Sequence, residues 1–186
     1  HGFSLNVFAD ELASAANQDP LEFRLKLMGE DQIPKVNGPI KFSNARLKNV
    51  LKIAAKNASW GKSLPKGHAY GLAVQYSFLS YVASVVEVSM VEGMVKVHNV
   101  YTVIDCGKVV NKDTVMAQMQ GAAIFGMSLA LFGKITAKEG AIEQSNFGDY
   151  RLVRMNESPN IHVEIVESDE PPTGVGEPGV PVIAPA

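Results

Sequence analysis

The strongest constraint on this chain is a stretch from Tyr70 to Asp105 in which β-branched and aromatic residues dominate, broken near its middle by a single Glu92-Gly93 pair. Val95, Val97, Asn99, Tyr101 and Val103 recur at every second position, the period of a strand with one buried face. Glycine after a polar residue between two such runs suits a two-residue hairpin turn, whose central residues need positive φ. A hairpin of residues 82–91 with 94–105 is therefore expected. A lone two-stranded ribbon is marginal in water, so it requires more strands, or helices laid on its apolar face. Residues 70–81 and 160–166 offer the additional strands.

Elsewhere the apolar period lengthens to that of a helix. Phe3, Val7, Phe8, Leu12, Ala15 and Ala16 recur at three and four, which predicts an amphipathic helix over 3–16 with those residues inward. Asp19-Pro20-Leu21-Glu22 supplies an N-cap, a proline at the first helical position and a glutamate at the third. A second helix over 20–28 should follow and end at Gly29. Beyond a Pro- and Gly-containing loop over 33–39, Ser43 or Asn44 can cap a third helix with Leu47, Val50, Leu51, Ala54 and Ala55 inside, stopped at Trp60-Gly61. Asn111 or Asp113 can cap a longer one through Leu131, and a short hairpin is expected from 134–137 and 141–144, turning at 138–140. The expected fold class is α+β, with helices and antiparallel hairpins. Residues 1–60 form a helical segment and 65–186 a mixed segment of strands and helix, within one unit spanning 1–186.

The long helix carries Ala117, Gly121, Ala122, Ala123 and Gly126 through its middle. A glycine costs about 1 kcal/mol against alanine inside a helix, so two of them point to something approaching the backbone closely. Sheet packing and a bound ligand both satisfy that, and spacing leaves both open.

Charge and composition remove several functions. Nineteen acids and 17 bases leave a net charge of −2, unlike the basic surface of a nucleic-acid binder. The apolar run over 121–132 is short and includes Ser128, so no membrane span is expected. One cysteine, Cys106, provides neither a disulfide nor the thiolates of an iron-sulfur or Cys-rich zinc site; a buried inert thiol is its first reading, a nucleophile its second. His1, His68, His98 and His162 lack the spacing of metal ligands. No phosphate-binding glycine fingerprint is present. Charge is also segregated: residues 1–138 hold 15 bases and 10 acids, a net of +5, while residues 139–186 hold 2 bases and 9 acids, a net of −7. The start at His1 and the end on Pro-Val-Ile-Ala-Pro-Ala read as a piece of a longer polypeptide.

One segment stands out for chemistry. Residues 168–181 place four prolines and three glycines around Glu177. Gly174, Gly176 and Gly179 permit unusual backbone angles, while Pro178 disfavours the helical region for Glu177. The carboxylate is thus presented on an extended, preset backbone. That suits a general base, although a plain Pro/Gly turn with an exposed glutamate has the same composition.

Several motifs together resemble the xanthine dehydrogenase and aldehyde oxidase family, in particular its molybdopterin-binding large subunits. Gln118-Met119-Gln120-Gly121-Ala122-Ala123-Ile124-Phe125-Gly126 is similar to the glutamine-glycine helix start that contacts molybdopterin. Thr173-Gly174-Val175-Gly176-Glu177-Pro178 is similar to the loop that holds the family's catalytic glutamate. Gln144-Ser145-Asn146-Phe147-Gly148-Asp149-Tyr150, Asp105-Cys106-Gly107-Lys108-Val109-Val110-Asn111 and the two amino-terminal segments Phe8-Ala9-Asp10-Glu11-Leu12-Ala13 and Asp19-Pro20-Leu21-Glu22-Phe23-Arg24 fit as well. The chain departs from the family at Asn111-Lys112, where Asn-Pro is usual.

The resemblance implies part of a molybdenum hydroxylase that inserts water-derived oxygen at an electron-poor carbon of an N-heteroaromatic such as isoquinoline, or of an aldehyde. It makes Glu177 the catalytic base and Gln118, Gly121 and Gly176 the contacts to molybdopterin. It also implies that electrons leave through a partner subunit carrying [2Fe-2S] clusters, and that the remainder of the molybdopterin-binding subunit, absent from these 186 residues, completes the site. On that reading the chain alone would not retain the cofactor. The alternative is a non-catalytic assembly or binding domain on the same scaffold, with the acidic quarter as its docking surface.

Overall fold

The structure is a computed structural model that describes residues 1–30 and 42–186; the loop expected over 33–39 lies outside the described residues. The elements are α1 (Gly2–Ala15), α2 (Pro20–Leu27), α3 (Asn44–Asn57), β1 (His68–Ser77), β2 (Ser80–Val91), β3 (Met94–Asp105), α4 (Lys112–Leu131), β4 (Ala137–Lys138), β5 (Ala141–Ile142), a single 3₁₀ turn (Met155–Glu157) and β6 (Asn160–Ile165). The expected caps form. Asp19 accepts hydrogen bonds from the backbone N–H groups of Leu21 and Glu22, Ser43 from that of Arg46, and Asn111 from that of Thr114.

The four-stranded sheet runs β1-β2-β3-β6 and is covered on both faces. Val50, Leu51 and Ala54 of α3 pack on Leu72, Tyr81, Ala83, Val85 and Val103. On the opposite face Val115, Met119, Ala123 and Met127 of α4 pack on Val82, Val86, Val100 and Ile104. Successive β2 side chains therefore go alternately to α3 and to α4. That double burial is why the strand reads as nearly continuous apolar sequence.

The hairpin at Glu92-Gly93 forms as expected, with Val91 paired to Met94. The fold is of the expected α+β class, with one addition: β6 joins β3 in parallel, so β3, α4 and β6 make a crossover unit with α4 as the connection.

Two sequence expectations need correction. The break between the first two strands lies at Phe78-Leu79, not after Tyr81, because Ser77 pairs with Ser80 across a two-residue turn in which Phe78 and Leu79 hold φ of 52° and 64°. No glycine or asparagine marks this turn, so its sequence looks like uninterrupted strand.

The helix over 3–16 exists, but its apolar stripe faces outward. Phe3 and Phe8 are 57% and 58% exposed, while Asn6, Ala9 and Ala13 are buried. The inner face is chosen by polar bonding and small size. Asn6 Nδ2 donates to the Val74 carbonyl at 3.0 Å and the Val74 N–H donates to Asn6 Oδ1 at 3.0 Å, so a side-chain amide pairs the free edge of β1 as a neighbouring strand would. Buried Arg24 locks the arrangement by donating to Asp10 Oδ1 at 2.6 Å and to the Asn6 carbonyl at 2.8 Å.

The helix α4 forms through Leu131 as expected, and at 20 residues it is long and apolar enough to cross a membrane by length and composition alone. In the fold its inner face is packed on the sheet, as in the core helix of a globular domain.

Candidate cofactor and active site

The loop bearing Glu177 is positioned from three sides. The first anchor is at the end of β3. Buried Asp105 receives two hydrogen bonds from Arg46 of α3, from Nε at 2.8 Å and from Nη2 at 2.6 Å, and a third from the Gly107 N–H at 3.2 Å. The bond to Asp105 pushes the Arg46 guanidinium above its ordinary pKa against the opposing effect of burial, as expected of a charge-assisted fork. With residues 105–108 fixed in this way, the Lys108 N–H donates to the Glu170 carbonyl at 2.8 Å and the Thr173 N–H to the Cys106 carbonyl at 2.9 Å. Gly107, at φ +73°, lies so close to the Glu170 and Pro171 carbonyls that a side chain there would displace them.

The second anchor is the turn between β1 and β2. The Gly174 N–H donates to the Phe78 carbonyl at 3.0 Å. Ser80, fully buried, donates from Oγ to the Gly174 carbonyl at 2.6 Å and lies 2.7 Å from Thr173 Oγ1.

The third anchor follows Glu177. The Val180 N–H donates to the Glu177 carbonyl at 3.0 Å, and this turn lays Gly179 on α4. A Cβ on Gly179 would come within 2.9 Å of Ala122 Cβ and 3.0 Å of Met119 Sδ. One helical turn further on, a Cβ on Gly126 would meet Ile183 Cβ at 2.7 Å.

This geometry separates the two helix glycines. Gly126 is small so that Ile183 can pack on it. Gly121, which shares a face with Gln118, has nothing within 4 Å. Gln118, Gly121, Gly176 and Glu177 are all exposed, and Gly176 also has open space where a Cβ would be. The structure thus joins the two predicted segments through the contact of Gly179 with Met119 and Ala122. Gln118 and Glu177 themselves remain exposed.

Ser80, Phe78 and Arg46 belong to this architecture and were not among the residues singled out from sequence, while Thr173 stood in the quoted loop motif without a role of its own. A serine at the head of the largely apolar strand β2 was the available signal for Ser80, since a buried hydroxyl must have a partner.

Other candidates lie elsewhere. Cys106 is buried, and burial followed by the nearby Asp105 carboxylate pushes its thiol up, which fits the inert reading. His68 and His98 stack with ring centroids 4.3 Å apart, at the end of the sheet opposite the Phe78 turn. Their neighbour Glu87 is pushed up by burial, but hydrogen bonds from His68 and from Asn99 outweigh this and hold it below its usual value.

Residues 27–159 match the family described as the molybdopterin cofactor-binding domain. The chain belongs to that family. This molybdopterin-binding domain is 33% identical, over 99% of its length and 22% of the relative's, to the isoquinoline 1-oxidoreductase subunit beta of Brevundimonas diminuta. It is 32% identical, over 99% of its length and 25% of the relative's, to the membrane-bound aldehyde dehydrogenase [pyrroloquinoline-quinone] of Gluconacetobacter polyoxogenes. Among solved structures, the Cu,Mo-CO dehydrogenase resembles it in fold, with a TM-score of 0.52 and 22% identity over 57% of this chain and 14% of that one. The chain therefore spans a quarter or less of the curated relatives' length. The family match takes in Gln118 and Gly121, whereas Gly176 and Glu177 fall in the region covered by the pairwise matches alone.

The residues present fit such a cofactor. A pterin is a flat heterocycle rimmed with donors and acceptors. An exposed helix face with bare backbone at Gly121, an amide at Gln118 and a second bare backbone at Gly176 gives such a group room to approach and polar atoms to bond.

Proposed function

We propose that this domain is the carboxyl-terminal part of the molybdopterin-binding subunit of a molybdenum hydroxylase, with Glu177 as its general base. The observation that carries this reading is the anchoring at three points of the loop that bears Glu177, the last of which seats Gly179 on Met119 and Ala122 of α4, the helix that also carries Gln118 and Gly121. A base gives its best rate when its geometry is fixed before the reaction.

Gln118 would hydrogen-bond the pterin through its side-chain amide. Gly121 and Gly176 would let the backbone come close to the cofactor. The bound molybdenum cofactor would supply the redox centre that takes two electrons from the substrate carbon. Glu177 would accept, on a carboxylate oxygen, the proton of a water-derived oxygen nucleophile, and its anchored loop would keep that carboxylate aimed during the transfer. The substrate class we infer is an N-heteroaromatic such as isoquinoline or an aldehyde, in line with the names of the two relatives. Electrons would leave through a partner subunit bearing [2Fe-2S] clusters, since the single buried cysteine here cannot hold one. The remainder of the molybdopterin-binding subunit would close the site over the open face of α4.

The test is Glu177→Gln in the full-length, cofactor-loaded enzyme. Turnover of isoquinoline and of an aldehyde is expected to fall by about 10²-fold or more, with molybdenum content and thermal midpoint unchanged. Undiminished turnover overturns the assignment.

A further inference from the structure

Ser80 is a buried polar residue bonded directly to the Glu177 loop, and no catalytic role explains it. It is fully buried, in a strand whose neighbouring positions are filled by Tyr81, Val82 and Ala83, and burying a hydroxyl is unfavourable unless its bonds are made. Both of its bonds go to the loop: donation to the Gly174 carbonyl at 2.6 Å and the 2.7 Å contact with Thr173 Oγ1. Beside it the Phe78 carbonyl receives the Gly174 N–H at 3.0 Å. The turn that presents this carbonyl does so with two bulky residues in the left-handed region, at φ of 52° and 64°. Such angles are unfavourable for any residue but glycine and persist where the surroundings over-determine them. Here the surroundings are the loop itself: a Cβ on Gly174 would sit 2.8 Å from Phe78 Cβ, so the turn and the loop are pressed together with no space for a side chain.

We propose that Ser80, together with the strained Phe78-Leu79 turn, is a positioning device for the catalytic carboxylate. Its hydroxyl and the Phe78 carbonyl fix both polar backbone atoms of Gly174, three residues ahead of Glu177, and so set the direction in which the loop leaves the sheet. The proposal rests on Glu177 being the base. Ser80 touches neither substrate nor cofactor in this scheme; it acts through Gly174. Thr173 is the matching residue on the loop side, with its N–H held by Cys106 and its hydroxyl by Ser80.

The experiment uses the full-length, cofactor-loaded enzyme with three variants: Ser80→Ala, Thr173→Val and Glu177→Gln. Thr173→Val removes the hydroxyl from the loop and leaves the sheet intact, so it serves if Ser80→Ala fails to fold. Ser80→Ala and Thr173→Val are each expected to lower kcat about tenfold with KM within twofold and molybdenum content unchanged. Hydrogen exchange should report the same event without turnover: the Gly174 amide exchanges at least tenfold faster, while amides in the centres of β2 and β3 keep their protection. Ser80→Thr, which restores a hydroxyl, is expected to recover most of the lost kcat. Wild-type kcat in both Ser80→Ala and Thr173→Val, with Glu177→Gln inactive, overturns the positioning role and leaves the base assignment standing. An active Glu177→Gln overturns the base assignment and the positioning role together. Faster exchange across the whole sheet, in step with a lowered kcat, overturns the proposal in favour of a general structural role.

Discussion

The two faces of α4 are built from similar residues and do different things. On the inner face Met119 is fully buried, Gly179 lies against Met119 and Ala122, and Gly126 makes room for Ile183. On the outer face, one residue back from each of these positions, Gln118, Gly121 and Phe125 stand exposed, with open space over Gly121. A small residue on the first face is a packing requirement; on the second it leaves bare backbone where a neighbour could bind. Composition does not distinguish the two, whereas the position of the 177–183 segment does.

The largest effect expected on stability is at the inner face. Met119→Ala removes a fully buried side chain that also seats Gly179, and truncations of this kind cost about 2–5 kcal/mol. Thermal unfolding of the chain should show the loss directly. Gln118→Ala, one residue away on the exposed side, should stay within about 0.5 kcal/mol of the parent. Equal losses from the two would dissolve the distinction between the faces. Glu177→Gln comes next and appears in a different measurement: a 10²-fold fall in turnover corresponds to about 2.7 kcal/mol of barrier, with no matching change in the unfolding midpoint because the side chain is exposed.

How much of this was readable beforehand follows from what each feature depends on. The Glu92-Gly93 hairpin, the caps at Asp19, Ser43 and Asn111, and the extent of α4 depend on residues near one another in sequence, and they form where the pattern puts them. The outward stripe of α1 depends on Asn6 finding Val74, 68 residues away, and on Arg24 finding Asp10; neither partnership leaves a trace in hydrophobic period. The Phe78-Leu79 turn is invisible for a related reason. It contains none of the residues that tolerate positive φ, and what holds it is a loop almost a hundred residues later. Gln118, Gly121, Gly176 and Glu177 were picked out by resemblance to family motifs. The anchors Ser80 and Arg46 were not, and Thr173 and Asp105 were quoted within motifs without an anchoring role, because an anchor is defined by its distant partner.

A sharper comparison comes from making one substitution on both faces. Gly126→Ala adds a methyl group 2.7 Å from Ile183 Cβ, closer than two carbons can sit, so Ile183 or the helix must move. Overpacking of this kind costs about 1–3 kcal/mol and the gain in helix propensity returns about 1, leaving a net loss near 1 kcal/mol. The expected outcome is a midpoint lowered by a few degrees, with the largest increase in hydrogen exchange around residues 180–183.

Gly121→Ala is chemically the same change with the opposite expected sign. Nothing lies within 4 Å of the added carbon, so only the propensity term operates, and the chain should gain up to about 1 kcal/mol, or some 2–4 °C in midpoint for a domain of this size. If the open face is where molybdopterin lies, the same methyl group occupies space the cofactor needs, and the full-length enzyme should become more stable as apoprotein while retaining less molybdenum. Those two readouts moving apart is the signature of a glycine kept for a ligand and not for packing. Were Gly121→Ala to raise the midpoint and leave metal content untouched, the outer face of α4 would be ordinary surface at that position, and the contact with the cofactor would have to be made by Gln118 and Gly176 alone.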